Sequence, residues 1–176
     1  MSALVADAGA LFGLQRDALA ERLRAGLPVD PARIAGSDYR GVSLGLPGFV
    51  ERLTWKTFRK SFRADGDRVR GLNVRLLQTG IDAAPEPRRD RRGEPVTFGP
   101  FLVTPLPAHG TPFGCERGVV FDYGATHPAW HPIARTRDVV VALDEACDVL
   151  LGALYVEIGG LRLRTPSFFT LERERA

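Results

Sequence analysis

Asp122 and Tyr123 stand side by side in the run VVFDYG, and His127 and His131 follow in the short stretch HPAWH. A carboxylate, a phenol and an imidazole at one strand end are the parts of an acid–base cluster that moves a proton to or from a bound substrate. The plainer reading has Asp122 capping the next turn while Tyr123 packs inside. His127 and His131 have ligand spacing only on a helix, and Pro128 and Pro132 oppose a helix there. No HExxH or nearby cysteine completes a set, so no metal is expected. The expectation is likewise of no cofactor, with a haem on one of these histidines as the lesser alternative. Cys115 and Cys147 have no basic neighbour in sequence to activate them and read as small buried residues. No GxSxG, P-loop or GxGxxG is present, and the run LDEACD reads as a solvated connection between strands.

A second grouping lies in ERLTWKTFRKSFRADGDRVRGLNVRLLQ, residues 51–78. In a strand, alternate residues share a face. One face of 53–62 then carries Leu53, Trp55, Thr57, Arg59 and Ser61, and the other Thr54, Lys56, Phe58, Lys60 and Phe62. Neither face is cleanly apolar. Three readings fit: an exposed hairpin with lysine and arginine stems laid along the aromatics, the wall of a barrel cavity, or a stacking platform for nucleic acid. Asp65-Gly66 marks the hairpin turn, expected to be of type I′.

These groups need a frame. The chain has 176 residues, 44% hydrophobic and 26% charged, with a net charge of +3. That fits one globular domain, and the charge is too small by itself to argue for nucleic acid. Residues 1–26 carry apolar positions at spacings of three and four and end in Gly26-Leu27-Pro28, which predicts an N-terminal helix with Gly26 as its C′ glycine. From about residue 39, short runs of Val, Leu, Phe, Thr and Tyr alternate with Gly, Pro and Asp-Gly breaks. Strands are expected at 39–45, 53–62, 68–78, 96–104, 117–123, 138–144, 149–158 and 166–173, the pattern of an antiparallel barrel or sandwich. A short helical turn is expected at PGFVERL, and the proline- and arginine-rich stretch 81–95 reads as a mobile loop. No apolar stretch is long enough for a membrane span, and the chain reads as a cytoplasmic protein with reduced thiols.

In order, GSDYRG (36–41), LPGFVERL (46–53), FRKSF (58–62), VVFDYGATHPAWHPIARTRDVVVAL (119–143), DVLLGALY (148–155) and TPSFFTLER (165–173) resemble the blocks of a bacterial GXWXG-type family. The tryptophan of that motif is missing, with Tyr39 the nearest aromatic, while Lys60 and Phe62 match the lysine and phenylalanine of the family's W-x-G-K-x-F-like strand. The resemblance implies a mainly β, antiparallel calycin-like β-barrel of uncharacterised function, with a small hydrophobic ligand as partner. The candidate ligand-binding residues are Tyr39, Trp55, Lys56, Phe58, Lys60, Phe62, Asn73, Tyr123 and Tyr155; Tyr155 and Glu157 share a face, so if Tyr155 points inward Glu157 does too. One alternative is an isomerase, cyclase or hydrolase in the same cavity, using Asp122, Tyr123, His127 or His131. Another is a nucleic-acid-binding or scaffold module built on the basic hairpin and arginine loop.

Overall fold

The computed structural model describes residues 8–45 and 56–175. Trp55 and the PGFVERL segment therefore lie outside the described residues. A 3-10 turn at Ala8–Leu11 leads into α1 (Arg16–Ala25) and the short α2 (Pro31–Ile34). Eight strands follow: β1 (Asp38–Leu44), β2 (Thr57–Asp65), β3 (Arg68–Arg75), β4 (Thr97–Pro105), β5 (Val119–Asp122), β6 (Thr136–Ala142), β7 (Val149–Ile158) and β8 (Leu161–Arg173). Each pairs antiparallel with the next, and β8 returns to β1, closing an up-and-down barrel.

The expected helix over 1–26 is shorter than its periodicity. Gly13 takes φ +85°, which separates the 3-10 turn from a ten-residue α1. Leu19 and Leu23 of α1 are fully buried against the outer face of the barrel, among Val139, Val141, Leu151 and Ala153. Gly26 is extended, at φ −62° and ψ 166°, so it is no left-handed cap. Its role is steric: a Cβ there would come within 2.3 Å of Val141, where Leu27 exchanges two backbone hydrogen bonds with Ala142. Asp30 caps α2 by accepting from the Ala32 amide, and Pro31 suits the first helical position. With Val29, α2 brings Ile34 into the interior cluster at one barrel end.

The β2–β3 hairpin turns on Gly66 and Asp67, with Asp65 opposite Arg68. Only Gly66 has positive φ, at +63°, the pattern of a type II′ turn in place of the expected I′. The 81–95 stretch lacks a hydrophobic face, yet backbone bonds tie it to the end of β3. Leu77 donates to Glu86, Arg88 to Arg75, and Arg75 to Val96. Backbone pairing holds this segment where apolar burial cannot.

Inside the barrel, three inward glycines sit opposite aromatic residues: Gly41 by Phe58, Gly71 by Phe101, and Gly152 by Phe169. Each ring folds over its partner so closely that a Cβ would lie 2.2–2.3 Å from it. The glycines thus make room for large rings in a narrow lumen. Tyr39, Phe62, Phe101 and Phe121 pack edge-on, tilted or stacked at centroid distances of 4.7–5.8 Å and fill the half nearest α2. The other half stays open.

Candidate functional site

Where the aromatic packing ends, four polar side chains meet. Lys60 from β2 and Asp138 from β6 stand on opposite walls, four strands apart on a ring of eight. Both are only 2% exposed, and their charged groups meet across the lumen at 3.1 Å. The Lys60 ammonium also donates to Asn73 Oδ1 at 2.8 Å and to the Tyr123 hydroxyl at 2.7 Å. Tyr123 in turn donates to Asp138 Oδ2 at 3.0 Å. Around the ammonium stand the rings of Phe58, Phe101, Phe121, Tyr123 and Phe169, with centroids 4.8–5.6 Å away, where their negative faces attract a cation.

Local backbone aims these groups. Gly99 has φ +50°, and pairing between β3 and β4 shifts by one residue between Gly71 and Asn73. This bulge turns the Gly99 carbonyl to accept from Asn73 Nδ2 at 3.0 Å, which leaves Asn73 Oδ1 facing Lys60. Burial pushes the Lys60 pKa down from its ordinary value, and the Asp138 carboxylate opposes that push. Burial, reinforced by the same carboxylate, raises Tyr123 well above the usual phenol range.

Above this floor opens a cavity of about 310 Å³. Its walls are Phe58, Phe98, Ile133, Leu154 and Phe169, and its hydroxyls come from Ser43, Thr136 and Ser167. An apolar wall with a few convergent polar groups is the usual make-up of a small-molecule pocket. A larger groove, about 640 Å³, lies on the outer face between residues 11–17 and β1. Among the described residues its polar lining comes from Gln15, Arg16, Asp17, Ser43 and Lys56.

The structure sorts the sequence candidates by face. Phe58, Lys60, Asn73 and Tyr123 line the cavity. Tyr39 and Phe62 are interior but lie deeper, Tyr39 donating to the Cys147 carbonyl at 2.7 Å. Lys56 borders the outer groove instead. Tyr155 is a correction: it packs in the outer cluster with Val139, Leu151 and Phe113. The β7 run is apolar on both faces because α1 and the 104–114 connection cover its outside, so alternation alone cannot say which face is inner. Its partner in register, Arg137, also lies outside, 3.0 Å from Asp122 and 3.9 Å from Glu157.

Asp122 separates from Tyr123 for the same reason: neighbours along a strand face opposite ways. Asp122 accepts from the Gly124 and Ala125 amides, capping the turn. His127 Nδ1 lies 2.9 Å from the Tyr123 carbonyl, and His131 accepts from the Ile133 amide at 3.3 Å; neither ring lines the cavity. The acid–base cluster expected at the strand end is therefore divided between two sides of the wall. Among the described residues no three of His, Cys, Asp or Glu gather as metal ligands do. On the outer hairpin face Arg59 forms two bonds to Glu174, at 2.7 and 2.6 Å. Arg63 meets Asp38, and Arg70 meets Asp65. Such carboxylates compete with phosphate for these arginines.

Asp138 is the residue sequence reasoning missed. It opens the run DVVVAL, where alternation groups it with Val140 and Ala142 on one face. A carboxylate on an otherwise apolar strand face was the available signal, and it calls for a buried cation.

Eight antiparallel strands in sequence order, closed on themselves around a half-empty lumen, define a calycin-like barrel. No family model and no curated protein matches the chain. Among solved structures it is similar to the siderocalin Ex-FABP, described as functioning through dual ligand specificities. That likeness has 11% identity over 82% of this chain and 76% of the other, with a TM-score of 0.43. It is also similar to the odorant binding protein OBP1, at 12% identity over 85% and 76%, with a TM-score of 0.40. At such scores the class rests on strand order and closure in this chain.

Proposed function

We propose that this protein binds a small apolar or amphipathic molecule in the open half of its barrel. The observation that carries the reading is the cavity of about 310 Å³, aromatic and aliphatic on its walls and polar at its floor. Burial against Phe58, Phe98, Ile133, Leu154 and Phe169 supplies affinity, and the Lys60–Asp138–Tyr123–Asn73 cluster orients the polar end. The proposal includes a cytoplasmic location, kinship with the GXWXG-type family, and no need for a cofactor.

Native mass spectrometry of protein purified from its own kind of host tests this directly, and a co-purifying small molecule is expected. In parallel, the neutral fluorophore N-phenyl-1-naphthylamine should bind the wild-type protein. Leu154→Trp, which fills the cavity, should abolish that binding while the far-UV circular dichroism stays unchanged. Full affinity in a folded Leu154→Trp protein would overturn the proposal.

A further inference from the structure

The polar floor holds one uncommitted hydrogen-bonding group, and it is an acceptor. Lys60 offers three donors, Asn73 two and Tyr123 one. Lys60 spends its donors on Asn73 Oδ1, Tyr123 and Asp138 Oδ2. Asn73 donates to the Gly99 carbonyl, with the Phe98 carbonyl and the Tyr123 oxygen each 3.4 Å away. Tyr123 donates to Asp138 Oδ2. That oxygen accepts twice, while Asp138 Oδ1 is buried with no partner. An unpartnered buried carboxylate oxygen is costly, and Asp138 belongs to the cavity lining.

Resting on the cavity reading above, we propose that this barrel selects apolar molecules ending in a hydroxyl and rejects the corresponding carboxylic acids. A hydroxyl donates to Asp138 Oδ1 and gives the orphan oxygen its bond without adding charge. A carboxylate finds every floor donor already engaged and meets a second negative charge. The lysine does not attract it on balance, because Lys60 and Asp138 cancel. An ammonium head would place a second cation beside Lys60, and an ether has nothing to donate. The rim hydroxyls of Ser43, Thr136 and Ser167 act as donor or acceptor alike, so they do not discriminate.

The test uses one chain length with three heads: decan-1-ol, decanoic acid and methyl nonyl ether, each displacing N-phenyl-1-naphthylamine at neutral pH. A hydrogen bond to a charged acceptor predicts that the alcohol binds about tenfold to hundredfold tighter than the ether. The acid should bind more weakly than the alcohol. Asp138→Asn sharpens the prediction. Lys60 and Tyr123 both donate to the Oδ2 position, so the amide oxygen must sit there and its NH2 replaces the orphan acceptor. With the Lys60 charge also unbalanced, the order should invert and the acid should outbind the alcohol. Equal affinities for alcohol and ether, or a tighter acid in the wild-type protein, overturn the selectivity while leaving the cavity reading standing. Failure of the fluorophore and all three ligands to bind overturns both. The wild-type series decides the matter even if the variant does not fold.

Discussion

Lys60 has a different status from the other cations of its hairpin. Arg63 and Arg70 reach carboxylates at the surface, where an ion pair contributes little, and Arg59 makes two bonds to a partly buried Glu174 on the outer face. Lys60 is enclosed, and its pairing with Asp138 spans the lumen. Removing one partner strands the other charge in a low-dielectric interior. Lys60→Met should therefore destabilise the fold by about 3–5 kcal/mol in urea unfolding. Lys60→Met combined with Asp138→Leu should recover most of that loss. A double variant as unstable as the summed single changes would show that the two groups act independently. Charged and aromatic residue types were legible in the hairpin sequence, but their pairing was not. Lys60 and Asp138 are far apart in the chain, and only ring closure sets β2 against β6.

At the scale of the strands, glycine and phenylalanine are placed as complements. Gly41, Gly71 and Gly152 have no side chain, and the ring across the strand pair takes the vacated space. Gly71→Ala puts a methyl 2.3 Å from the Phe101 ring, which rests on the Lys60 ammonium and on Phe121. Since the half of the barrel behind Phe101 is filled, the ring has little freedom to move aside. The expected cost is about 1–3 kcal/mol, the scale of overpacking, read as a lower midpoint in chemical denaturation. Gly66→Ala should cost less, about 1–2 kcal/mol, because it meets open space and only a left-handed backbone. Equal losses at the two positions would argue against ring placement as the reason for Gly71. Strand positions were largely legible from turn residues and β-branched runs. The break in the N-terminal helix and the facing of β7 were not, because apolar periodicity cannot distinguish one covering element from another.

For the molecule as a whole, alkaline pH offers a reading of integrity. The chain has three tyrosines, Tyr39, Tyr123 and Tyr155, and all are buried. Burial pushes Tyr155 up to about 12, with Glu157 adding to the push, and raises Tyr39 and Tyr123 as well. The unfolded chain therefore loses its phenol protons first. The stabilisation is complete below the ordinary phenol value of about 10 and is lost as pH rises towards the folded values. Phenolate absorbance should stay flat at pH 10–11 while circular dichroism is native, and should then rise together with unfolding. Phenolate appearing at its ordinary pH in a folded protein would place at least one tyrosine in solvent.

The sequence alone determined the mainly β class, most strand positions, the hairpin turn and a set of residues rich in cations and aromatics. Those features are local, since turn chemistry and alternation act over a few neighbours along the chain. Tertiary structure decided which face is inner. It turned Phe58, Lys60 and Phe62 inward and Arg59 outward, split Asp122 from Tyr123, and moved Tyr155 under the outer layer. It also supplied Asp138, whose significance lies in a lysine on the opposite wall. Closing a barrel makes every strand choose an inside, and when helices and loops cover parts of the outside, both faces can be apolar. Only the closed ring removes that ambiguity, and it does so for all eight strands at once.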